Sequence, residues 1–236
     1  MKVFITTFLF LFTTSFLFSQ ESARLYNSGI EKMKAKQYKE ANDIFLKAIA
    51  EAQKEGKTAK GSWYYQVATS ALRSKQFDKA IAYYDSAIVR NYKKPGKCQL
   101  YKATAYQKKN DTENYLQTLK EGFEKYPKNP EFGMKLGLSH YSTAATHQSE
   151  ASKLTKSNPA KCKEELLNAK KAFESAKPYL EKTKEILAAK VEKAKKPKQK
   201  AKNQKKLEKT KQALDATTKA LPEIDQAIKA LDEANK

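Results

Sequence analysis

Small and large apolar residues alternate along the first part of the chain at spacings that repeat. Nine residues separate the first small residue from the first aromatic residue in each of two successive copies. The first copy is Gly29, Tyr38, Ala41, Phe45 and Ala48, and the second is Ala68, Phe77, Ala80, Tyr84 and Ala87. Positions three or four apart share one face of a helix. The spacing therefore predicts stacked helical hairpins, in which small residues allow close approach and large residues fill the holes.

A third copy of the pattern is weaker but complete enough to follow. Its members are Ala103, Tyr106, Asp111, Glu113, Leu119 and the closing pair Tyr126-Pro127. Tyr115 and Gly122 stand where the other copies have alanine. We therefore expect this hairpin to pack less tightly than the second one.

The fourth copy is stretched. It opens at Leu136-Gly137 and resumes at Phe173, which follows Gly137 by 36 residues instead of nine. Two helices, each lengthened by about a dozen residues around a turn at Ser157-Asn158-Pro159, absorb the excess. One register places Phe173, Ala176, Leu180 and Thr183 on the second helix. A rival register places Leu166, Ala169, Phe173 and Ala176 there, seven residues earlier on the same helical stripe.

These copies resemble the tetratricopeptide repeat (TPR) family, whose period is about 34 residues. The resemblance covers roughly residues 22–186. It implies an all-α fold, namely a right-handed α-solenoid of helical hairpins, and a binding scaffold of a kind that hosts many functions. The implied repeat region is 21–160, with repeats at about 22–55, 61–94 and 96–129 and the first helix of the stretched repeat at 130–160.

The resemblance also implies an inner groove lined by the first helix of each hairpin. Carrying over the register gives Tyr26, Ile30, Met33, Lys34, then Tyr65, Thr69, Leu72, Arg73, then Leu100, Thr104, Gln107 and Lys108. The candidate peptide contacts among them are Tyr26, Lys34, Tyr65, Thr69, Arg73, Thr104 and Lys108.

The chemistry of this groove favours an extended peptide of acidic character, because aromatic, hydroxyl and basic side chains are mixed along it. Some members of the family hold a C-terminal carboxylate with a lysine and asparagine clamp. Tyr26 and Ile30 occupy the clamp positions of the first repeat here, which argues against that mode. The alternative interpretation of Tyr26 and Tyr65 is that they only cover neighbouring helices.

The last part of the chain, residues 161–236, follows a seven-residue pattern instead. The two apolar rows are Leu166, Phe173, Leu180 and Leu187, and then Leu207, Leu214, Leu221 and Ile228. Such spacing predicts a narrow seam along each helix. Pro197 separates the rows and is unfavourable inside a helix, so we expect a long antiparallel, coiled-coil-like helical hairpin that turns there. A bent single helix that dimerises through the second seam is the alternative, and Pro222 is expected to kink the second helix or to begin a final one.

Lysines crowd the expected turn of this hairpin. Eleven lysines lie between Lys190 and Lys211, against Glu192 and Glu208. Mutual repulsion predicts a frayed tip unless an anion neutralises it. The candidate polyanion contacts are Lys195, Lys196, Lys198, Lys200 and Lys202. The expected ligand is an anionic envelope component, such as lipid headgroups or surface glycolipid, or else an acidic protein. Nucleic acid is disfavoured, since the tip lacks arginines and aromatic residues. The alternative is a tip that only confers solubility.

Residues 1–20 have the pattern of a secretory signal peptide. Lys2 precedes an apolar run of 16 residues, from Val3 to Phe18, that is broken only by threonine and serine and is short for a membrane span. We expect the mature protein to begin near Glu21 and to reside in the periplasm or cell envelope of a Gram-negative bacterium. An uncleaved membrane anchor is the alternative.

No motif in the sequence indicates catalysis, a cofactor or a metal. Phosphate-binding glycine loops and nucleophile motifs are absent, and His140 and His147 have no carboxylate between them. Cys98 and Cys162 could form a bridge or remain two separate buried thiols. The sequence therefore predicts a non-catalytic, exported scaffold that binds a protein or peptide in its groove. A structural protein that binds a polyanion through the hairpin is the rival hypothesis.

Overall fold

The computed structural model describes residues 21–234, and helices make up most of that range. Within it there is no strand, which confirms the prediction of an all-α fold. The predicted signal peptide, residues 1–20, lies outside the described residues. The helices are α1 (Glu21–Lys34), α2 (Tyr38–Lys54), α3 (Gly61–Arg73), α4 (Phe77–Val89), α5 (Pro95–Lys108), α6 (Thr112–Lys125), α7 (Pro130–Leu154), α8 (Pro159–Glu192) and α9 (Pro197–Ala234).

Proline and asparagine mark where the later helices begin. Helices α5, α7, α8 and α9 each start at a proline, which loses no hydrogen bond there because the first amides of a helix have no partner inside it. The side chain of Asn129 accepts a hydrogen bond from the backbone of Glu131 at 3.1 Å, and Asn158 accepts one from Lys161 at 3.0 Å. These caps explain why the predicted turn at Asn158-Pro159 separates two helices.

The first helix of each of the three regular hairpins ends in the same turn. Lys36, Lys75 and Asn110 follow α1, α3 and α5 with φ values of 62°, 64° and 61°. In each turn the next residue donates its backbone N–H to the carbonyl five residues earlier, as Gln76 does to Ala71 at 2.8 Å. This is the Schellman arrangement, in which glycine is the usual left-handed residue. Its recurrence shows that the three hairpins share one backbone design.

Contacts divide the chain into two compact units, one ending at Thr118 and the other beginning at Leu119, within α6. The core of the first unit consists of alanines and aromatic rings from α2 to α5. Ala41, Phe45, Ala80 and Tyr84 are fully buried in it. A Cβ atom at Gly29 would lie 2.5 Å from the ring of Phe45. The small residue of α1 therefore admits the large residue of α2, as the spacing predicts.

Polar groups also connect the helices of the first unit. Buried Asn42 of α2 donates its side-chain amide to the carbonyl of Val67 at 2.8 Å and to the hydroxyl of Ser70 at 2.9 Å, both on α3. Near the start of α1, the backbone and hydroxyl of Ser22 donate to the carboxylate of Glu55 at 2.9 and 2.7 Å. Lys57 and then Ser22 lower the pKa of Glu55 to about 2.

The second unit settles the register of the stretched repeat. A Cβ atom at Gly137 would lie 2.6 Å from Leu180, so these residues meet as Gly29 and Phe45 do in the first hairpin. Leu180 thus occupies the position of Phe45, which supports the register Phe173, Ala176, Leu180 and Thr183. All four are buried. The rival register would have placed Phe173 against Gly137.

Helices α8 and α9 form the predicted antiparallel hairpin. The side-chain amide of Asn203 donates to the carbonyl of Lys190 at 3.2 Å, Lys170 pairs with Asp225 at 2.7 Å, and Lys163 pairs with Asp232. With increasing distance from the turn before Pro197, the paired residues have lower numbers on α8 and higher numbers on α9, as in an antiparallel pair. Leu207, Leu214 and Ile224 are buried in this chain, so the seam of α9 packs internally rather than serving only a dimer.

The structure decides one alternative for Pro222 and corrects the expectation of loose packing at Gly122. Pro222 lies inside α9, so of its two expected effects the start of a final helix is excluded. Gly122 is not a site of loose packing, because the ring of Phe132 lies directly over its Cα, where an added Cβ would overlap the ring. Tyr115 is also buried.

The two cysteines are free and buried. Cys98 lies in the core of the first unit and Cys162 in the core formed by α7, α8 and α9. Burial raises the pKa of the Cys98 thiol to about 12. Two separate structural thiols, not a bridge, are therefore present.

Candidate functional site

The candidate site of the first unit is an open cavity of about 630 Å³ between α3 and α5. Its apolar wall consists of Leu72, Phe77 and Tyr101, and Thr69 and Thr104 add hydroxyl groups. Four of the seven candidate peptide contacts meet at this cavity, namely Thr69, Arg73, Thr104 and Lys108, together with the predicted groove residue Leu72. The structure thus brings together the candidates from the second and third hairpins.

Hydrogen bonds to neighbouring protein groups orient the hydroxyl groups of the two threonines. Thr69 donates its hydroxyl to the carbonyl of Tyr65 at 2.8 Å and accepts from the hydroxyl of Tyr84 at 3.3 Å. Thr104 donates to the carbonyl of Leu100 at 2.9 Å. Because both hydroxyl protons are already used, these side chains offer a ligand mainly acceptor oxygens. Thr104 would suit backbone N–H groups of a bound peptide.

The rim of the cavity carries three cations, Arg73, Lys75 and Lys108, all of them exposed. In the described part of the chain none of the three belongs to an ion pair, whereas the neighbouring Lys109 is paired with Asp78. No acidic residue lines the cavity. The rim is therefore a region of uncompensated positive charge beside an apolar wall, and it attracts anions.

The three other candidate peptide contacts, Tyr26, Lys34 and Tyr65, lie outside this cavity. Tyr65 is only 8% exposed and stacks on Tyr92 with 4.5 Å between ring centroids. Tyr26 is half-buried and stacks on Trp63 at 4.7 Å. Both tyrosines thus cover neighbouring helices, which was the alternative interpretation. Lys34 is exposed and pairs with Glu31 at 2.7 Å on its own helix.

Comparisons with solved structures bear on the fold. A TPR repeats protein of Bacteroides fragilis is 19% identical with a TM-score of 0.50, over 91% of this chain and 99% of that one. The chain has the TPR fold. A weaker similarity is found to a protein of Bacteroides ovatus described as protein binding, which is 14% identical with a TM-score of 0.49, over 84% of this chain and 100% of that one. Another is to the TPR2AB domain of yeast Sti1 in a complex with pHSP90, which is 16% identical with a TM-score of 0.41, over 91% of this chain and 94% of that one. No family model and no curated protein matches the sequence.

In this fold the cavity lies where the resemblance predicts a groove, because α3 and α5 are the first helices of successive hairpins. Sequence reasoning missed Lys75, Phe77 and Tyr101. Lys75 could have been found as the turn residue that follows Arg73 at the end of α3. Phe77 was assigned to packing alone, although its partial exposure lets the same ring line the cavity.

The predicted polyanion contacts lie in the second unit. Lys195 and Lys196 are in the connection between α8 and α9, and Lys198, Lys200 and Lys202 are in the first turns of α9. All five are exposed. Lys202 also lines a recess of about 950 Å³ next to the turn. The other four lysines do not line this recess.

The histidines have structural surroundings. His140 stacks on Tyr179 with 5.9 Å between ring centroids, and burial lowers its pKa. The Nδ1 atom of His147 lies 2.6 Å from a carboxylate oxygen of Glu165 on α8, a partner that spacing within α7 could not reveal. Across residues 21–234 no three histidine, cysteine or acidic side chains converge as a metal site would require. None of the described helices combines the length and the apolarity needed to cross a membrane.

Proposed function

We propose that this chain is an exported, non-catalytic TPR scaffold that binds an extended, acidic segment of another protein in the α3–α5 cavity. The observation that carries the proposal is the rim of three unpaired cations beside an apolar wall. Carboxylates of the bound segment would pair with Arg73, Lys75 and Lys108, and an apolar side chain would contact Leu72, Phe77 and Tyr101.

The mixed lining also supports a peptide over a simple anion. A small anion would use the cations alone and leave the apolar wall in contact with water. A peptide can use both, because side chains on alternate positions of an extended strand point in opposite directions. Binding should therefore weaken with salt without disappearing, since salt screens charges but leaves apolar burial largely unaffected.

A peptide library tests the proposal. Short fluorescent peptides with aspartate or glutamate at successive positions are titrated with the full chain, and fluorescence polarisation reports Kd. We expect the tightest peptides to combine acidic and large apolar residues. The double variant Arg73→Gln/Lys108→Gln should weaken their binding about tenfold or more.

A matched control separates the cavity from general charge. Lys39 and Lys47 are exposed on α2, away from the cavity lining, and Lys39→Gln/Lys47→Gln removes the same charge. Equal loss of binding in both double variants, or no preference for acidic peptides, would contradict the proposal.

Export is the second part of the proposal and rests on the sequence of residues 1–20. N-terminal sequencing of protein recovered from the source cell should give a first residue at or next to Glu21. Recovery of protein with Met1 in the membrane fraction would instead support an anchor.

A further inference from the structure

A second cationic site lies in the second unit, beside the turn of the C-terminal hairpin. Three segments form the recess of about 950 Å³: the connection before α7, the last turns of α8 and the first turns of α9. Six lysines line it, against a single acidic residue, Glu131. These lysines are Lys128, Lys182, Lys190, Lys193, Lys202 and Lys206.

Polar contacts hold the walls of the recess together. Asn203 is buried, donates to the carbonyl of Lys190 at 3.2 Å, and accepts from Gln199 at 2.8 Å. Lys206 pairs with Glu131 and so connects α9 to the start of α7. The recess is thus formed by contacts between segments up to 75 residues apart.

Four of the lining lysines keep uncompensated charge. Lys206 is paired with Glu131, and Lys182 is paired with Glu185 at 3.0 Å. Lys128, Lys190, Lys193 and Lys202 have no ion pair within residues 21–234. Like charges that converge around one recess repel each other, and a bound anion would relieve this repulsion.

The lining also limits the kind of anion. It contains no arginine and no aromatic ring, so neither forked recognition nor stacking on a base is available. Lysine offers a compact point charge, and these charges come from several walls. A compact ligand with several phosphate groups places its negative charge in several directions at once, so it can contact lysines from all three segments.

We propose that the recess beside the α8–α9 turn is a binding site for a compact soluble polyphosphate. Phosphate groups occupy the space between Lys128, Lys190, Lys193 and Lys202. The site is independent of the peptide-binding function proposed above, because all of its residues belong to the other compact unit.

Calorimetric titration of the full chain with inorganic tripolyphosphate tests this site. We expect binding at about 20 mM salt that weakens strongly at about 300 mM, because the Debye length shortens. The recess variant Lys190→Gln/Lys193→Gln/Lys202→Gln should weaken binding about tenfold or more. Circular dichroism checks that its helical content is unchanged.

Two control variants remove the same number of positive charges as the recess variant. Lys171, Lys211 and Lys219 are exposed on the same hairpin and do not line the recess. Lys196, Lys198 and Lys200 are exposed at the turn but also lie outside its lining. The glutamine variant of either set should retain tripolyphosphate binding within about threefold.

Three results would overturn the proposal. One is equal weakening by the recess variant and the first control variant, which indicates an effect of net charge alone. Another is binding to vesicles of anionic phospholipid, lost on substitution of Lys196, Lys198 and Lys200, without binding to tripolyphosphate; this result would assign the tip to a membrane surface. The third is no binding to tripolyphosphate even at low salt.

Discussion

The two compact units bury their helices in different ways. The first unit uses helices of 13 to 17 residues, from α1 to α5, and its core combines alanines with phenylalanine and tyrosine rings. The second unit contains helices of 25, 34 and 38 residues, and leucines at seven-residue spacing form much of its core. Short hairpins leave an open cavity between successive first helices. Each long helix buries only a narrow apolar seam, so the rest of its surface can carry charged residues.

The difference in charge follows from this difference in packing. A narrow apolar seam occupies two of seven positions, so the remaining positions of α8 and α9 can be lysine without cost to the core. In the first unit the hairpins pack on both sides, and fewer positions are free for charge. The cations of its cavity are therefore confined to helix ends and turns, at Arg73, Lys75 and Lys108.

The largest expected effect on stability comes from truncating one large buried side chain in the core of either unit. Phe45→Ala should lower the free energy of unfolding by about 3–5 kcal/mol, and Leu180→Ala at the equivalent position by about 2–5 kcal/mol. Hydrogen exchange followed by mass spectrometry locates each effect. We expect Phe45→Ala to accelerate exchange in the first unit and Leu180→Ala in the second. Equal acceleration of both units by either variant would show that they unfold as one.

A smaller effect is expected from overfilling the first core. Ala80 is fully buried on α4, whereas Ala82 on the same helix is exposed. Ala80→Leu should cost about 1–3 kcal/mol through overpacking, and Ala82→Leu should be close to neutral. Thermal melts compare the two variants. Similar melting temperatures for both would mean that the register of the second hairpin is wrong.

Gly122 gives a related test in the second unit. The repeat pattern favours alanine there, and alanine is also the better helix former by about 1 kcal/mol. The ring of Phe132 nevertheless occupies the space that a Cβ would need. We expect Gly122→Ala to destabilise the protein by about 1–2 kcal/mol in chemical unfolding. A gain in stability would show that the ring moves aside easily.

The contribution of Glu55 should depend on pH. Its pKa is about 2 in the folded protein, below the ordinary value of 4.5. A carboxyl group with a lowered folded pKa stabilises the fold above its ordinary pKa, and this contribution is lost as the pH falls towards about 2. Glu55→Gln should therefore reduce stability at neutral pH and have little effect near pH 2. Urea unfolding midpoints across this range measure the difference, and a pH-independent loss would contradict the assignment.

The smallest effect compares two identical turns. Lys36 and Lys75 both adopt left-handed backbone angles, but only Lys75 lines the cavity. Replacing either residue with glycine should stabilise the fold by about 0.5–1 kcal/mol, because glycine adopts these angles without steric cost. Lys75→Gly should also weaken the binding of acidic peptides, whereas Lys36→Gly should not. Equal peptide affinity of the two variants would exclude Lys75 from the site.

The sequence by itself determined the helices and most of their pairings. The repeated spacing of small and large residues predicts paired helices, because periodicity fixes which residues share one helical face. The seven-residue rows and Pro197 predict the α8–α9 hairpin for the same reason. These properties are local, or join neighbours along the chain, so they can be inferred without coordinates.

Only the tertiary structure decided which residue of a helix face contacts which partner. The two registers of α8 differ by seven residues and leave the apolar stripe unchanged, so the contact between Gly137 and Leu180 was needed to choose between them. Tyr65 lies on a helix that faces both the core and the groove, and its stacking on Tyr92 places it in the core. The lysine recess combines α7, α8 and α9, and no periodicity within one helix specifies how side chains from three separate segments converge.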